Sequence, residues 1–400
     1  MRIAVVSAFF SEGMGYTENC LPKTLARLGH EVHVLTSTLN VYGNSPDYER
    51  TYGAFLGPAD QGVRTFKTDG YTVHRMSSRL IANYVNIHGL RARLKSLRPD
   101  VVHVTEIASL PAFKLAFLRA FMGFKLFGES HQHMSVVRPY VRAAQGHRLQ
   151  KSIYWLTRTL PTKIASRSFE RCYAIAPDCV EVATRFYGVP HALTKLQSLG
   201  TDTLLFRPAE GPEEVAARTA LRASSGYGPD DVVCIYTGRF SKDKNPLVLA
   251  RAIDQLVKAG HTQFHGLFVG EGEQKQAILE CQHAQVRAFA QHLELAKLYQ
   301  MADIATWPRQ ESMSMLDAAA SGLPLVVSAD IGENERVAGN GRVYKENDVA
   351  DMARALLSLG DAKERATLAA HGRQKMARNF SWMSIAESIV ADYRAALGQS

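Results

Sequence analysis

Short apolar runs alternate with helix-patterned stretches along this 400-residue chain, in the same strand-then-helix order, in each half. That alternation constrains the fold more than any other feature, because strand, helix, strand in succession builds a parallel sheet with right-handed crossovers. In the first half, strands are expected at Arg2 to Phe9, Glu31 to Thr36, Val101 to Thr105, Phe124 to Glu129 and Tyr173 to Ala176, with helices over Cys20 to Leu28, His88 to Leu97 and Ser109 to Phe121. In the second half, strands are expected at Val232 to Thr237, Gly266 to Val269, Ile304 to Trp307 and Leu325 to Val327, with helices over Leu247 to Ala259, Glu294 to Met301 and Met315 to Ser321. Between the halves, the chain passes through Phe206-Arg207-Pro208 into an acidic, Ala/Ser/Gly-rich stretch ending at Pro229-Asp230-Asp231, which places a domain boundary near residues 200–210. Two doubly wound α/β domains in tandem are the simplest architecture. The tail from Trp382 to Leu397 sets Ile385, Ile389, Tyr393 and Leu397 at four-residue spacing, the pattern of an amphipathic helix.

Composition excludes several classes. With 46% hydrophobic and 21% charged residues the chain has the balance of a globular protein. The greasiest stretch, Leu110 to Gly128, is broken by Lys114, Arg119 and Lys125, short of the roughly 18 uninterrupted apolar residues of a membrane span. The N-terminus lacks the three-part pattern of a signal peptide, so a cytoplasmic location is expected. Five scattered cysteines without a CxxC pair argue against a disulfide framework and a zinc site, and no metal is expected. The formal charge of +9 is lopsided: residues 1–200 carry +12 and residues 201–400 carry −3. Arg138, Arg142, Arg148, Lys151 and Arg158 lie in a basic stretch reaching Arg171, with Tyr140, Tyr154 and Trp155 among them. Such a face suits an anionic membrane surface, a nucleic acid or a phosphorylated substrate, and equally suits plain solvation.

Ligands of open parallel sheets bind beyond the carboxyl ends of the strands, so the loops leaving strands carry the candidate chemistry. Gly238-Arg239-Phe240-Ser241-Lys242-Asp243-Lys244-Asn245 puts an Arg and a Lys five residues apart on one such loop, where a planar fork and a compact charge can converge on a diphosphate. Trp307 to Asp317 leads into an Ala-rich helix, and Ser314 with Asp317 has the spacing of a capping box. A helix start there offers backbone N–H groups to an anion, and Glu311 just ahead of it offers a carboxylate to sugar hydroxyls. Gly13-Met14-Gly15-Tyr16 follows the first strand, but Glu18 stands where a dinucleotide fingerprint requires its third glycine. Glu129-Ser130-His131-Gln132-His133 ends a strand, where the two histidines would share a face with no third metal ligand in view.

In this order and spacing the motifs resemble glycosyltransferase family 4, whose members have the GT-B fold. The likeness rests in the first half on the Gly13 to Tyr16 loop, Gly29-His30-Glu31-Val32, Arg98-Pro99-Asp100-Val101-Val102-His103 and His131. In the second it rests on Gly200-Thr201-Asp202 with Phe206 and Pro208, the Gly238-Arg239 to Lys244 loop, Gly270-Glu271-Gly272, Ala302-Asp303 and Glu311 through Pro324. The resemblance implies two Rossmann-like domains facing a central cleft: residues 1–205 for the acceptor, residues 206–380 for a nucleotide sugar, and a C-terminal helix over 381–400 crossing back to the first domain. It implies retaining transfer of a hexose from a UDP- or GDP-linked donor to a glycan or lipid-linked acceptor of an envelope glycan, with no cofactor and no required metal. Arg239 and Lys244 match the pair that neutralises the donor diphosphate. Gly15, Gly238, Gly270 and Gly272 fall at donor-binding positions, and the backbone of Ser312, Met313, Ser314 and Met315 would hold phosphate or hexose oxygens. His131 would contact the transferred sugar and Asp317 the ribose. One departure is visible: only five residues separate Glu311 from Asp317, so Arg309 falls where the family's first glutamate would be, and Glu311 takes the sugar role through a shortened loop. A nucleotide-sugar epimerase of the same fold is the alternative enzyme, and a basic nucleic-acid-binding protein a remote one; no nucleic-acid partner is expected.

Overall fold

The computed structural model describes residues 1–81, 84–134, 136–137, 152–331 and 335–399. Two compact units emerge: Met1–Leu199 with Ile385–Ser400, and Gly200–Ser384.

The first unit is built on an eight-stranded sheet. Its strands are β1 (Arg2–Ser7), β2 (Glu31–Ser37), β3 (Arg64–Thr68), β4 (Tyr71–Met76), β7 (Val101–Val104), β8 (Lys125–Ser130), β9 (Arg171–Ala174) and β10 (Thr194–Leu196), while β5 (Ser78–Ile81) and β6 (Tyr84–Ile87) form a separate hairpin. The order β10-β9-β8-β7-β1-β2-β4-β3 is parallel throughout except at β3, which pairs antiparallel with β4. β1 and β7 are apolar and almost wholly buried, as strands covered on both faces must be. The helices Thr17–Arg27, Leu90–Leu97 and Leu110–Met122 follow strands as expected, the last capped by the Ser109 hydroxyl at the Ala112 amide. The β3/β4 hairpin has a sequence signal that periodicity alone overlooks: Asp69-Gly70, both at positive φ, is a two-residue turn matched to the twist of its strands.

The second unit holds β11 (Val232–Thr237), β12 (Phe264–Val269), β13 (Ala284–Arg287), β14 (Ile304–Trp307), β15 (Leu325–Ser328) and β16 (Gly341–Tyr344), all parallel, in the order β13-β12-β11-β14-β15-β16. This is the dinucleotide-type arrangement whose direction reverses between the first and fourth strands, leaving a crevice at the carboxyl ends of β11 and β14. The helix Leu247–Lys258 packs against the sheet at β12 and buries Val248, Leu249, Ala252, Ile253 and Leu256. The acidic stretch read as a boundary contains a helix of its own, Gly211–Ser224. Arg218 and Arg222 on that helix pair with Asp303 at 3.3 and 2.8 Å, just before β14, so it belongs to the second unit's packing. The C-terminal helix Trp382–Leu397 begins in the second unit and from Ile385 onward counts with the first. No helix among the described residues is long and apolar enough to cross a membrane.

Candidate functional site

In the second unit the sequence-predicted loops occupy the switch point. Gly238 leaves β11 with its N–H on the Val269 carbonyl at 3.0 Å, and the Phe240 N–H reaches the Glu271 carbonyl at 2.8 Å, joining the β11 and β12 exit loops. This explains Gly270 and Gly272: a Cβ on Gly270 would lie 1.9 Å from the Gly238 carbonyl oxygen, and one on Gly272 2.7 Å from that of Phe240, so only glycine permits the apposition.

Within that loop, Arg239 is half exposed and 3.8 Å from Asp243. Lys244 is more buried, which holds its ammonium below the usual lysine range, and its Nζ donates to the Glu311 carbonyl at 3.1 Å. The exit loops of β11 and β14 therefore meet through Lys244 and Glu311, residues 67 apart in sequence. Arg309 makes a second link between the two loops, its Nη1 on the Lys242 carbonyl at 3.1 Å, while its Nε lies 2.9 Å from Glu346. Asp243 and Glu311 are the acidic side chains whose charge reaches Lys244, and Glu311 Oε2 accepts from Arg336 Nη1 at 3.2 Å. Arg336 is a site residue that sequence reasoning missed, since it lies 25 residues from Glu311 in no recognisable motif.

The capping box at Ser314 and Asp317 is not formed. The helix runs Ser314–Ala320 with Met313 at its N-cap and no side-chain cap. Asp317 instead accepts from the Thr201 hydroxyl at 2.7 Å, a partner brought in by Thr201 pairing with Ser381 at the end of the second unit. Burial pushes the Asp317 carboxyl up to about 7. Nor are all four expected backbone donors available to a ligand. The Met315 N–H is committed to the Ser312 carbonyl at 3.1 Å and the Ser312 N–H to the Met315 sulfur at 3.4 Å, while the Ser312 and Ser314 hydroxyls bond each other at 2.7 Å. Two of the four amides are thus engaged within the turn itself.

In the first unit the corresponding switch point lies between β1 and β7. Gly15 sits in the β1 exit loop, two residues before the helix Thr17–Arg27. Glu18, in that helix's first turn, is buried, and burial lifts its carboxyl to about 7. His131 follows β8 directly, its Nε2 2.5 Å from Glu129 Oε2. The two histidines of the motif do not share a face. The strand ends at Ser130, and His133 turns to Asp178 at 3.1 Å, with the Cys179 sulfur 3.8 Å from its Nδ1. The third metal-type group that spacing left out of view is thus supplied from residues 178–179, the three ligand atoms lying within 4.8 Å of one another. Asp178 also accepts from the Met134 N–H at 3.0 Å, and burial pushes the Cys179 thiol up to about 12. Of the basic face, Arg138, Arg142, Arg148 and Lys151 lie outside the described residues. Arg158 is half-buried, its guanidinium 4.4 Å from the Tyr84 ring centre and 5.4 Å from that of Tyr154, so this member of the face packs on aromatics instead of standing free in solvent.

Comparison with known proteins bears on both units. Residues 21–203 match the family described as Glycosyltransferase Family 4, and residues 231–361 the family described as Glycosyl transferases group 1. The spore coat protein SA of Bacillus subtilis is 24% identical over 237 residues, covering 53% of this chain and 61% of that protein. The D-inositol 3-phosphate glycosyltransferase of Rhodococcus erythropolis is 27% identical over 246 residues, covering 57% of this chain and 54% of the relative, so the match spans little more than half of each. Among solved structures, sucrose-phosphate synthase from Thermosynechococcus elongatus superposes with a TM-score of 0.68 at 20% identity over 100% of both chains. Anabaena HepE in complex with UDP-glucose superposes with a TM-score of 0.64 at 16% identity, over 99% of this chain and 100% of that one.

Proposed function

The chain belongs to the family 4 and group 1 glycosyltransferases with the GT-B fold, and from that premise we propose that it transfers a hexose, with retention of configuration, from a UDP- or GDP-linked donor to a glycan or lipid-linked acceptor. The observation that carries this reading is the meeting of the β11 and β14 exit loops through Lys244 and the Glu311 carbonyl at 3.1 Å. It sets Arg239, Lys244 and Glu311 at the switch point of the second unit's sheet, with Asp243 beside Arg239. As the bond from the sugar's anomeric carbon to the diphosphate breaks, negative charge gathers on the diphosphate, and fixed cations stabilise it without reorganisation. Arg239 supplies a bidentate fork and Lys244 a point charge, which is the role a divalent cation fills in other transferases. Glu311, steadied by Arg336, would accept from hexose hydroxyls, and Asp317 from the ribose. The glycine-built apposition of the β11 and β12 exit loops would shape the phosphate end. His131 in the first unit would contact the transferred sugar, and Gly15 would let the backbone approach the diphosphate. UDP-glucose bound to Anabaena HepE supports the donor class.

The +12 charge of residues 1–200 favours an anionic acceptor environment, and we assign it to peripheral attachment at an anionic membrane surface carrying the lipid-linked acceptor. A phosphorylated soluble acceptor is the second reading, favoured by the name of the Rhodococcus relative.

The test is incubation with a panel of UDP- and GDP-hexoses, with and without glycan acceptors, following nucleoside diphosphate release and the anomeric configuration of the product. Acceptor-dependent release with retained configuration is expected. Epimerised nucleotide sugar from donor alone, or an inverted product, would overturn the proposal.

A further inference from the structure

Glu129, next to last in β8, has only 4% of its surface exposed, and a carboxylate taken that far from water must be paired and hydrogen-bonded. Its partners come from three elements. His131 Nε2 lies 2.5 Å from Oε2, His103 Nε2 on β7 lies 2.9 Å from Oε1, and the Thr17 hydroxyl lies 3.2 Å from each oxygen. An ionised carboxylate only accepts, so both imidazoles must carry their proton on Nε2. His103 Nδ1 faces the Tyr393 hydroxyl at 2.6 Å, on the C-terminal helix. The result is one continuous hydrogen-bonded chain: Tyr393 with His103, His103 donating to Glu129, and His131 donating to Glu129 from the other side. The His103 ring is wholly buried and stacked on Tyr173 at 5.7 Å, so it cannot turn. His131 is the member of the chain that reaches solvent, its side chain one-quarter exposed.

We propose that Glu129 is a positioning residue for His131: held by His103 and Thr17, it fixes the imidazole through Nε2–H and favours the doubly protonated ring, so that Nδ1–H is the donor presented to substrate. This rests on the contact between His131 and the transferred sugar proposed above. The surroundings agree with it. Glu106, in the loop after β7, accepts from the Ala108 N–H at 2.9 Å and from the backbone N–H of His131, and Glu18 approaches from the helix Thr17–Arg27. Burial works against an imidazolium here, but the Glu129 hydrogen bond and the charges of Glu129, Glu106 and Glu18 outweigh it and hold His131 above the ordinary histidine range. Burial likewise works against the Glu129 carboxylate, and the two imidazoles pull it down to about 2. The Cys172 thiol on β9 is pushed far up by burial and stays neutral, and Arg158 is the basic side chain whose charge reaches Glu106.

The experiment titrates His131 by NMR in the full chain labelled at histidine, without substrate, and measures kcat against pH separately. In the wild type the midpoint of His131 is expected above about 6.5. Glu129→Gln should lower it by about one unit or more, and should lower kcat more than it raises the KM for donor. Tyr393→Phe, which removes one hydroxyl from a buried ring, should lower it by a smaller amount and serves if Glu129→Gln does not fold. A midpoint at or below the ordinary value in the wild type, or unchanged in folded Glu129→Gln, would overturn the proposal. The titration needs no turnover, so a His131 that shifts as expected in a protein inert to nucleotide sugars would uphold the positioning role and defeat the transfer reading instead.

Discussion

Thr201 Oγ1 donates to Asp317 Oδ1 at 2.7 Å across 116 residues of sequence. The bond ties the first residues of the second unit to the helix that follows β14, and it gives a carboxyl in a poorly solvated place one fixed partner. Thr201→Val keeps the shape and removes the donor, leaving Asp317 without it. Nucleotide affinity should then fall about tenfold, the scale of a hydrogen bond to a charged group, as read by calorimetry with UDP and GDP. Unchanged affinity would separate Asp317 from the ribose.

Arg239→Ala and Lys244→Ala should each lower turnover by roughly 10²–10³, the cost of one preorganised donor at a developing charge. Donor dissociation constants measured alongside should change far less. A folded variant with near-normal turnover would remove that residue from the diphosphate.

On the proposed reading, in which Arg239 and Lys244 supply the charge that a bound cation would, turnover should survive EDTA. Loss on chelation, restored by Mg²⁺ or Mn²⁺, would show that the pair does not suffice.

Glu18 and Asp317 both have carboxyls lifted to about 7 by burial, so between about pH 4 and pH 7 the folded chain binds protons that the unfolded chain has released. Their contribution to stability is complete below the unfolded values and is lost as pH rises through about 7. Glu18→Gln should flatten the decline of Tm across that window without changing Tm below pH 4. A slope identical to the wild type would mean that Glu18 ionises as it does in water.

The protein should sediment with anionic vesicles at low salt and leave them at about 0.5 M salt, where the screening length falls between the ~8 Å of physiological salt and the ~3 Å of 1 M. Each basic side chain near the surface contributes about 1 kcal/mol, so replacing Arg142, Arg148 and Lys151 by Gln should abolish the attachment and leave donor affinity intact. A wild type indifferent to such vesicles would point to the soluble phosphorylated acceptor.

Much of this is legible in the sequence. β11 and β14 begin and end where the apolar runs do, the helix Trp382–Leu397 matches its four-residue spacing, and the four loops singled out for chemistry all leave strands. Less legible was the helix Gly211–Ser224, because its acidic, small-residue composition reads as a linker until Arg218 and Arg222 find Asp303. The Ser314/Asp317 spacing misled for a related reason: a capping box competes with any better donor the fold supplies, and Thr201 is that donor.

By itself the sequence determined the central strands and the loops at their carboxyl ends, since side-chain period sets which faces bury and right-handed crossovers set how strands pair, whereas β3, β4, β10, β13 and β16 were not among the expected strands. The tertiary structure alone decided which side chains meet: Thr201 with Asp317, Glu311 with Arg336, and Tyr393 with His103 across 290 residues. A hydrogen bond is made or lost within a few tenths of an ångström, whereas a hydrophobic pattern specifies only a face. The exact register of β7 against β8, and the seating of one helix from the chain's far end, place Tyr393, His103, Glu129 and His131 in line. Nothing local to any of the four residues records that alignment.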